Sequence, residues 1–352
     1  MTKPQVALAD QGSAVNRAEA ARYPVGLQQV ARLLFLFMLV VLFVSLEGRF
    51  LSQGNLLTIL SLVAVLGIVS MGQTVVIVAG GFDLSVSGVV PLAGVTFAIL
   101  INAGFAWPLA GVIAVAAGVI VGLVNGFAIA YLKLDALITT LATLSISAGL
   151  ALAVAGGRQV QFETYEAAVV AAPGLAGIHN HVWIFVLACV VLHIVLRSTT
   201  FGRQLYAVGG SREAARLAGI RTNRVTLVVY VICGACAAVA GVILACQLLT
   251  GSGNVGYTIN LESITAVVLG GALLSGGKGS VPGTLTGVAI LGVLSNGLSL
   301  LHVASFYQSM ATGAALLLAV LVSRSETRFL IRIPDLRSFR AANGPESDSA
   351  TT

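Results

Sequence analysis

Apolar residues gather into ten runs along this 352-residue sequence. They lie at roughly 31–46, 56–79, 88–104, 109–131, 136–155, 182–197, 225–249, 260–275, 282–301 and 305–322. A helix needs about 20 largely apolar residues to cross the hydrocarbon of a bilayer, and fewer when its flanks snorkel. Lipid offers the backbone no partner, so each run has to satisfy its own N–H and C=O groups as a helix. The pattern predicts an all-α, polytopic transmembrane helical bundle of about ten spans. Residues 31–322 form the membrane unit, with polar ends at 1–30 and 323–352. The first run starts after some thirty polar residues and no small-residue cleavage site follows it, so it is expected to remain as the first span.

Charge placement tests that count. Ten spans with the N-terminus inside put residues 1–30, 132–135, 198–224, 276–281 and 323–352 in the cytoplasm. Of the 19 Lys and Arg residues, Arg49 and Arg158 alone then fall outside. Arg203, Arg212, Arg216, Arg221 and Arg224 crowd one inner loop, and Arg324, Arg328, Arg332, Arg337 and Arg340 crowd the tail. Basic residues concentrate on the cytoplasmic side of membrane proteins. An odd number of spans would destroy the bias, so both termini are expected to be cytoplasmic.

Composition removes the soluble alternatives. The chain is 57% hydrophobic and 9% charged, against about 25% charged in soluble domains. Its net charge of +6 is confined to a few loops, which argues against a nucleic-acid partner. Forty glycines suit helices that pack closely through small residues. Cys189, Cys233, Cys236 and Cys246 all sit in apolar runs. Cys233 and Cys236 have redox spacing but no second pair, and read as small buried residues.

The outer loop 156–181 carries Glu163, Glu166, Pro173 and Gly174 and is expected to be irregular or a short surface helix. His179 and His181 near its end read as interfacial polar residues. Residues 324–333 read either as a short helix against anionic lipid or as a solvated tail, with Asn343–Thr352 disordered. An internal echo is suggested by Gly80-Gly81 with Asn125-Gly126, and by Gly270-Gly271 with Asn296-Gly297.

Two nucleotide-like motifs lack their context. Gly251-Ser252-Gly253-Asn254-Val255-Gly256 has glycine spacing but lies in a short loop between spans. Gly276-Gly277-Lys278-Gly279-Ser280 has Ala272 where a phosphate loop needs its first glycine, and Gly279 where it needs Ser or Thr. No ATP site, cofactor or metal is implied.

The inner segment 198–224 holds Ser211 at a helix N-cap position, Glu213 near the positive end and Gly219 at C′. It predicts a two-turn helix exposing Ala214, Ala215, Leu217 and Ala218. This is either a knob for another protein's groove or a plain Arg-rich connection. Asp83, within Gly80-Gly81-Phe82-Asp83-Leu84-Ser85, is a carboxylate beside two apolar runs. It reads as a helix-start structure or as a functional group. Glu262 starts a span, while Gln73, Asn125, Asn296 and Gln308 are polar residues in or near spans. They glue helices or line a path.

Several of these blocks together resemble the ribose/xylose/arabinose-type permeases of ABC importers, over roughly residues 55–323. They are Gly80 to Ser85, Asn125-Gly126, Gly202-Arg203 through Ile220, Ala266 to Gly271, Ser275 to Ser280, Gly283-Thr284 and Asn296-Gly297-Leu298. Tyr206-Ala207-Val208-Gly209-Gly210 followed by Glu213-Ala214-Ala215-Arg216 is the most specific of them. Departures occur at Ser87-Gly88, at Glu262-Ser263-Ile264-Thr265, at Gly271-Ala272-Leu273-Leu274 and in the long tail.

The resemblance implies a permease in a bacterial inner membrane, pairing with a second permease subunit and with separate ABC ATPase subunits. A periplasmic sugar-binding protein would dock outside. It makes Ser211–Gly219 a coupling helix, with Arg203, Tyr206, Gly209, Gly210, Ser211, Glu213, Ala214, Arg216 and Gly219 as the ATPase-coupling set. Gln73, Asp83, Asn125 and Asn296 become candidates for the translocation path. Import of branched-chain amino acids, nucleosides or a furanone signal is the alternative within that class. An ion-coupled secondary transporter would need paired charges inside spans, and a membrane enzyme would need clustered His, Asp or Glu. The sequence offers almost none of the first and none of the second.

Overall fold

A computed structural model describes residues 25–162 and 165–331. Thirteen α-helices and one 3-10 turn (Leu175–Gly177) are found among them, with one two-residue strand pair. The helices are α1 (Val25–Leu46), α2 (Gln53–Val78), α3 (Val86–Asn102), α4 (Trp107–Ala130) and α5 (Ala136–Val154). Next come the one-turn α6 (Tyr165–Ala168), α7 (Asn180–Ser198), α8 (Thr200–Gly210), α9 (Arg212–Leu217) and α10 (Thr222–Leu248). The last three are α11 (Ile259–Leu269), α12 (Val281–Leu300) and α13 (Ser305–Ile331). β1 (Val160–Gln161) pairs antiparallel with β2 (Thr250–Gly251).

The protein is an all-α polytopic membrane bundle. Ten helices sit where the ten apolar runs are, and seven of them (α1, α2, α4, α5, α7, α10 and α12) are long and apolar enough to cross a membrane. The third and eighth runs give shorter helices of 17 and 11 residues. The eighth corrects the expectation of a span over 260–275. Its helix stops at Leu269, because Gly271 takes φ 89 and the chain turns back, leaving Leu273 and Leu274 in a loop. The tail also differs, since α13 continues unbroken through 324–331 with no separate short helix. Glu163 and the stretch Asn343–Thr352 lie outside the described residues.

Connections segregate to two ends. At one end, Lys133 of the α4–α5 turn donates to Asn223 Oδ1 (2.8 Å) and Gly277 N–H donates to the Val78 carbonyl (2.9 Å). Arg32 near the start of α1 donates to the Gly270 carbonyl (2.5 Å) at the same end. At the other end lie the β1–β2 pair, the Asn102–Gln161 bond (2.8 Å) and the His179–Ser61 contact (3.3 Å). The glycine-spaced stretch 251–256 belongs to this second end, where Gly251 is in β2.

α10 is the spine of the bundle, packing on α2, α3 and α4. A stripe on α4, Gly118, Gly122 and Gly126, lies directly on it. A Cβ at these positions would sit 2.5 Å from the Gly234 carbonyl oxygen, 2.4 Å from that of Tyr230 and 2.9 Å from Leu227 Cα. Small residues four apart let two helix backbones meet, which replaces the missing hydrophobic drive between helices in lipid.

Candidate functional site

The segment 198–224 folds as a helical pair that leans on the bundle. α8 arises from an N-cap, Thr199, whose hydroxyl accepts from Gly202 N–H (3.2 Å), and from a narrow inward stripe of Gly202, Leu205 and Val208. That stripe rests on α2, α7 and α10. α9 is bounded as its sequence predicts. The Ser211 hydroxyl accepts from Ala214 N–H (3.3 Å). Gly219 takes φ 82 while its N–H bonds the Arg216 carbonyl (3.0 Å) and that of Ile220 bonds the Ala215 carbonyl (3.0 Å). Those two bonds form a Schellman cap, which glycine at C′ permits.

Orientation corrects one expectation: Ala215 points inward and is buried, while Ala214, Leu217 and Ala218 face out. Leu217 is 75% exposed, so nothing among the described residues covers it. Glu213 and Arg216 form an exposed i,i+3 ion pair at 2.7 Å. The Arg216 hydrogen bond holds the Glu213 carboxyl below its ordinary range. Exposed pairs add little to stability. Arg203 is exposed on α8.

Three distant segments meet backbone to backbone behind this pair. They are the end of α2, the end of α8 and the loop 270–280. A Cβ on Gly209 would lie 1.8 Å from the Val78 carbonyl oxygen and 2.6 Å from Gly277 N. One on Gly277, at φ 74, would lie 2.9 Å from Gly210 Cα. Tyr206 hydroxyl donates to the Gly279 carbonyl (2.8 Å), and burial pushes its phenol above the ordinary value, so the donor keeps its proton. These close contacts tie the end of α8 to both the α2–α3 elbow and the α11–α12 elbow.

The candidate path residues divide. Gln73, Asp83 and Asn125 come together, all fully buried. Asp83 Oδ1 accepts from Ser85 N–H (2.9 Å) and Ser85 hydroxyl (2.5 Å), while Asp83 Oδ2 makes no hydrogen bond. Asn125 Nδ2 donates to the Ser85 hydroxyl (2.9 Å), Thr143 hydroxyl donates to Asn125 Oδ1 (2.7 Å), and Gln73 Nε2 donates to the Asp83 carbonyl. The result is a polar chain from α2 through the first elbow and α4 to α5. It ties the elbow to α2, α4 and α5, although Gln73 Oε1, like Asp83 Oδ2, is left without a hydrogen bond.

Asn296 lies apart, near the opposite end, in reciprocal bonds with Asn55 (3.0 and 2.9 Å). The internal echo therefore holds at the elbows, where Gly80 and Gly271 both take positive φ, and fails at the Asn-Gly pairs.

Sequence reasoning missed three elements of the site. The α4 glycine stripe had a readable signal in its four-residue spacing. Arg32 had a weaker one, a lone cation at the start of a run. Tyr206 was singled out, but its partner Gly279 lies 73 residues away and has no local signature.

The model of the family described as branched-chain amino acid transport system / permease component matches residues 55–322. The ribose import permease protein RbsC of Bacillus subtilis (strain 168) is 38% identical over 303 residues, 86% of this chain and 94% of its own length. RbsC of Escherichia coli (strain K12) is 35% identical over 304 residues, 85% of this chain and 95% of its own. The L-arabinose transport system permease protein AraH of Escherichia coli (strain K12) is 38% identical over 263 residues, 73% of this chain and 79% of its own.

Proposed function

The chain belongs to the branched-chain amino acid transport system / permease component family, and on that premise we propose that it is the membrane-spanning permease subunit of an ABC importer carrying a sugar across the bacterial inner membrane. The relatives named for ribose and arabinose favour a sugar, with pentoses first, over an amino acid. Its partners are a separate ATPase that hydrolyses ATP, a periplasmic sugar-binding protein and a second copy of the permease. No chemical step is assigned to the chain itself.

One observation carries this reading. A capped helix with an exposed leucine stands on a close-packed joint to both elbows of the bundle. α9 is the coupling helix, and its end of the bundle is the cytoplasmic one, consistent with the arginines of 198–224. Ala214, Leu217 and Ala218 enter the ATPase groove, with Glu213 and Arg216 setting the register. Ser211 and Gly219 keep the helix formed, since six residues cannot hold a helix by themselves in water. ATP-driven closure pushes α9. α8 transmits the push through Gly209 and Tyr206 to the elbows at Val78–Gly80 and Gly276–Gly279, and the bundle exchanges inward and outward access.

Within this scheme the Asp83–Ser85–Asn125 chain ties the first elbow to α4. Asn296 with Asn55 clamps α2 to α12. All four candidate path residues, Gln73, Asp83, Asn125 and Asn296, are buried, and the second copy rests on the likeness to ABC importer permeases.

The test is reconstitution in proteoliposomes with a partner ABC ATPase and a sugar-binding protein. A panel of ribose, arabinose, xylose, leucine and a nucleoside is offered as labelled solute. Uptake of a sugar that needs enclosed ATP and the binding protein supports the proposal. ATP-dependent uptake of leucine alone, or solute movement by the isolated chain under an ion gradient, overturns it.

A further inference from the structure

The cation cluster around α9 forms more than a dispersed positive face. A cavity of about 590 Å³ opens between the α4–α5 turn, α9 and the start of α10. Five cations line it: Lys133, Arg212, Arg216, Arg221 and Arg224. Its one carboxylate, Glu213, is already engaged by Arg216 at 2.7 Å.

The positive-inside bias explains why such residues lie on one side of a membrane, but it does not require them to converge. Here they do converge. Asn223 Oδ1, a neutral acceptor, draws in Lys133 Nζ (2.8 Å) from one connection and Arg212 Nη2 (3.1 Å) from another. Two like charges held on one uncharged oxygen leave a positive focus, and the neighbouring acid, Asp135, is engaged by the Leu137 and Ile138 amides at the start of α5. The N-terminus of the 27-residue α10 opens onto the same cavity, and its N-cap residue Arg221 makes no side-chain cap. The helix therefore adds its positive end to the cations.

The rim tells the level. Tyr131, Leu132 and Leu134 flank Lys133 with 45%, 59% and 52% of their surfaces exposed. They cap the ends of α4 and α5, both long enough to cross a membrane. Apolar surface thus gives way to clustered cations within one turn of chain, which is where phospholipid headgroups lie.

The geometry points to a phosphate-binding site between the α4–α5 turn and the start of α10, filled by the headgroup of an anionic phospholipid. Guanidinium groups bind phosphate oxygens through paired N–H donors, and the Lys133 ammonium supplies a point charge. The lipid's acyl chains continue along Tyr131, Leu132 and Leu134. The site does not depend on which solute the chain carries.

The experiment uses the full chain purified into nanodiscs of phosphatidylcholine alone or of phosphatidylcholine with phosphatidylglycerol. Retained lipid is counted by native mass spectrometry, and thermal stability is recorded in both discs. The parent is expected to keep phosphatidylglycerol in preference to phosphatidylcholine. The variant Lys133→Gln/Arg224→Gln is expected to keep about tenfold less, about 1.4 kcal/mol of binding free energy, and to gain less stability than the parent on going from pure phosphatidylcholine to phosphatidylglycerol discs. A single Lys133→Arg variant, which keeps the charge, is expected to retain the lipid.

Equal retention by the double variant, or no preference for the anionic lipid, overturns the site. Protection of the parent by inorganic phosphate in phosphatidylcholine discs, to the level given by phosphatidylglycerol, makes free phosphate the source and overturns the lipid assignment. Loss of retained lipid when the ATPase binds makes the cavity a docking surface for that protein and overturns it too.

Discussion

Adjacent glycines at the end of α8 are expected to respond oppositely to the same substitution. In Gly209→Ala the new methyl carbon would lie 1.8 Å from the Val78 carbonyl oxygen. An ordinary carbon–oxygen contact is about 3.3 Å, so the backbones have to part by about 1.5 Å. That displacement also breaks the Gly277 N–H bond to the same oxygen, 2.9 Å long. Overpacking costs about 1–3 kcal/mol, and the lost bond with its stranded amide about 1–3 kcal/mol. Alanine returns about 1 kcal/mol of helix propensity. The net is a loss of about 1–5 kcal/mol.

In Gly210→Ala the methyl carbon meets nothing within 4 Å, so only the favourable propensity change remains. The assay is thermal unfolding of the purified permease, with membrane accumulation as a check on folding. Gly209→Ala is expected to unfold roughly 5 °C or more below the parent, and Gly210→Ala at or above it. Equal behaviour of the two variants would refute the reasoning, because the joint would then have the slack its geometry denies it.

The remaining expectations concern the bundle. Gly122→Leu on α4 drives a side chain into the Tyr230 carbonyl, only 2.4 Å from its Cβ position, and is expected to cost about 3 kcal/mol or to prevent accumulation in the membrane. Gly111→Leu, on the same helix with nothing within 4 Å, is expected to accumulate normally. Asn55→Leu and Asn296→Leu each strand an amide partner, so the double variant should lose less stability than the two single losses added. A thermal double-mutant cycle should give a coupling of about 0.6–1.7 kcal/mol, and strict additivity would show that the pair does not clamp α2 to α12.

Much of the fold is legible because lipid leaves the chain few choices. A run of some twenty apolar residues has to become a helix, and α2, α4, α5, α7, α10 and α12 stand where such runs occur. Legibility fails where the hydrophobic signal and the backbone disagree. Residues 270–275 stay apolar in part, yet Gly270-Gly271 ends α11 at Leu269 and turns the chain back. α8 is hard to see for the opposite reason: only Gly202, Leu205 and Val208 are buried on it, a stripe of three in an 11-residue helix.

The caps of α9 are readable because Ser211 and Gly219 act on their own neighbours. The joint behind it is not, since Gly209, Val78 and Gly277 are brought together by tertiary packing alone. The resemblance between Asn125-Gly126 and Asn296-Gly297 misleads, because short pairs recur by composition. One asparagine serves the first elbow and the other a clamp at the far end.

In the proposed mechanism, force reaches this bundle from a partner through the outer face of α9. Its most direct measurement is ATP-driven sugar uptake by proteoliposomes holding the permease, its ATPase and its binding protein. Glu213→Arg, Arg216→Glu and the exchange variant carrying both are compared with the parent. The exchange variant keeps an ion pair within the helix but presents reversed charges to the partner. All three are expected to insert normally and to lose uptake. Uptake at the parental rate in either single variant, or its full recovery in the exchange variant, would contradict the account.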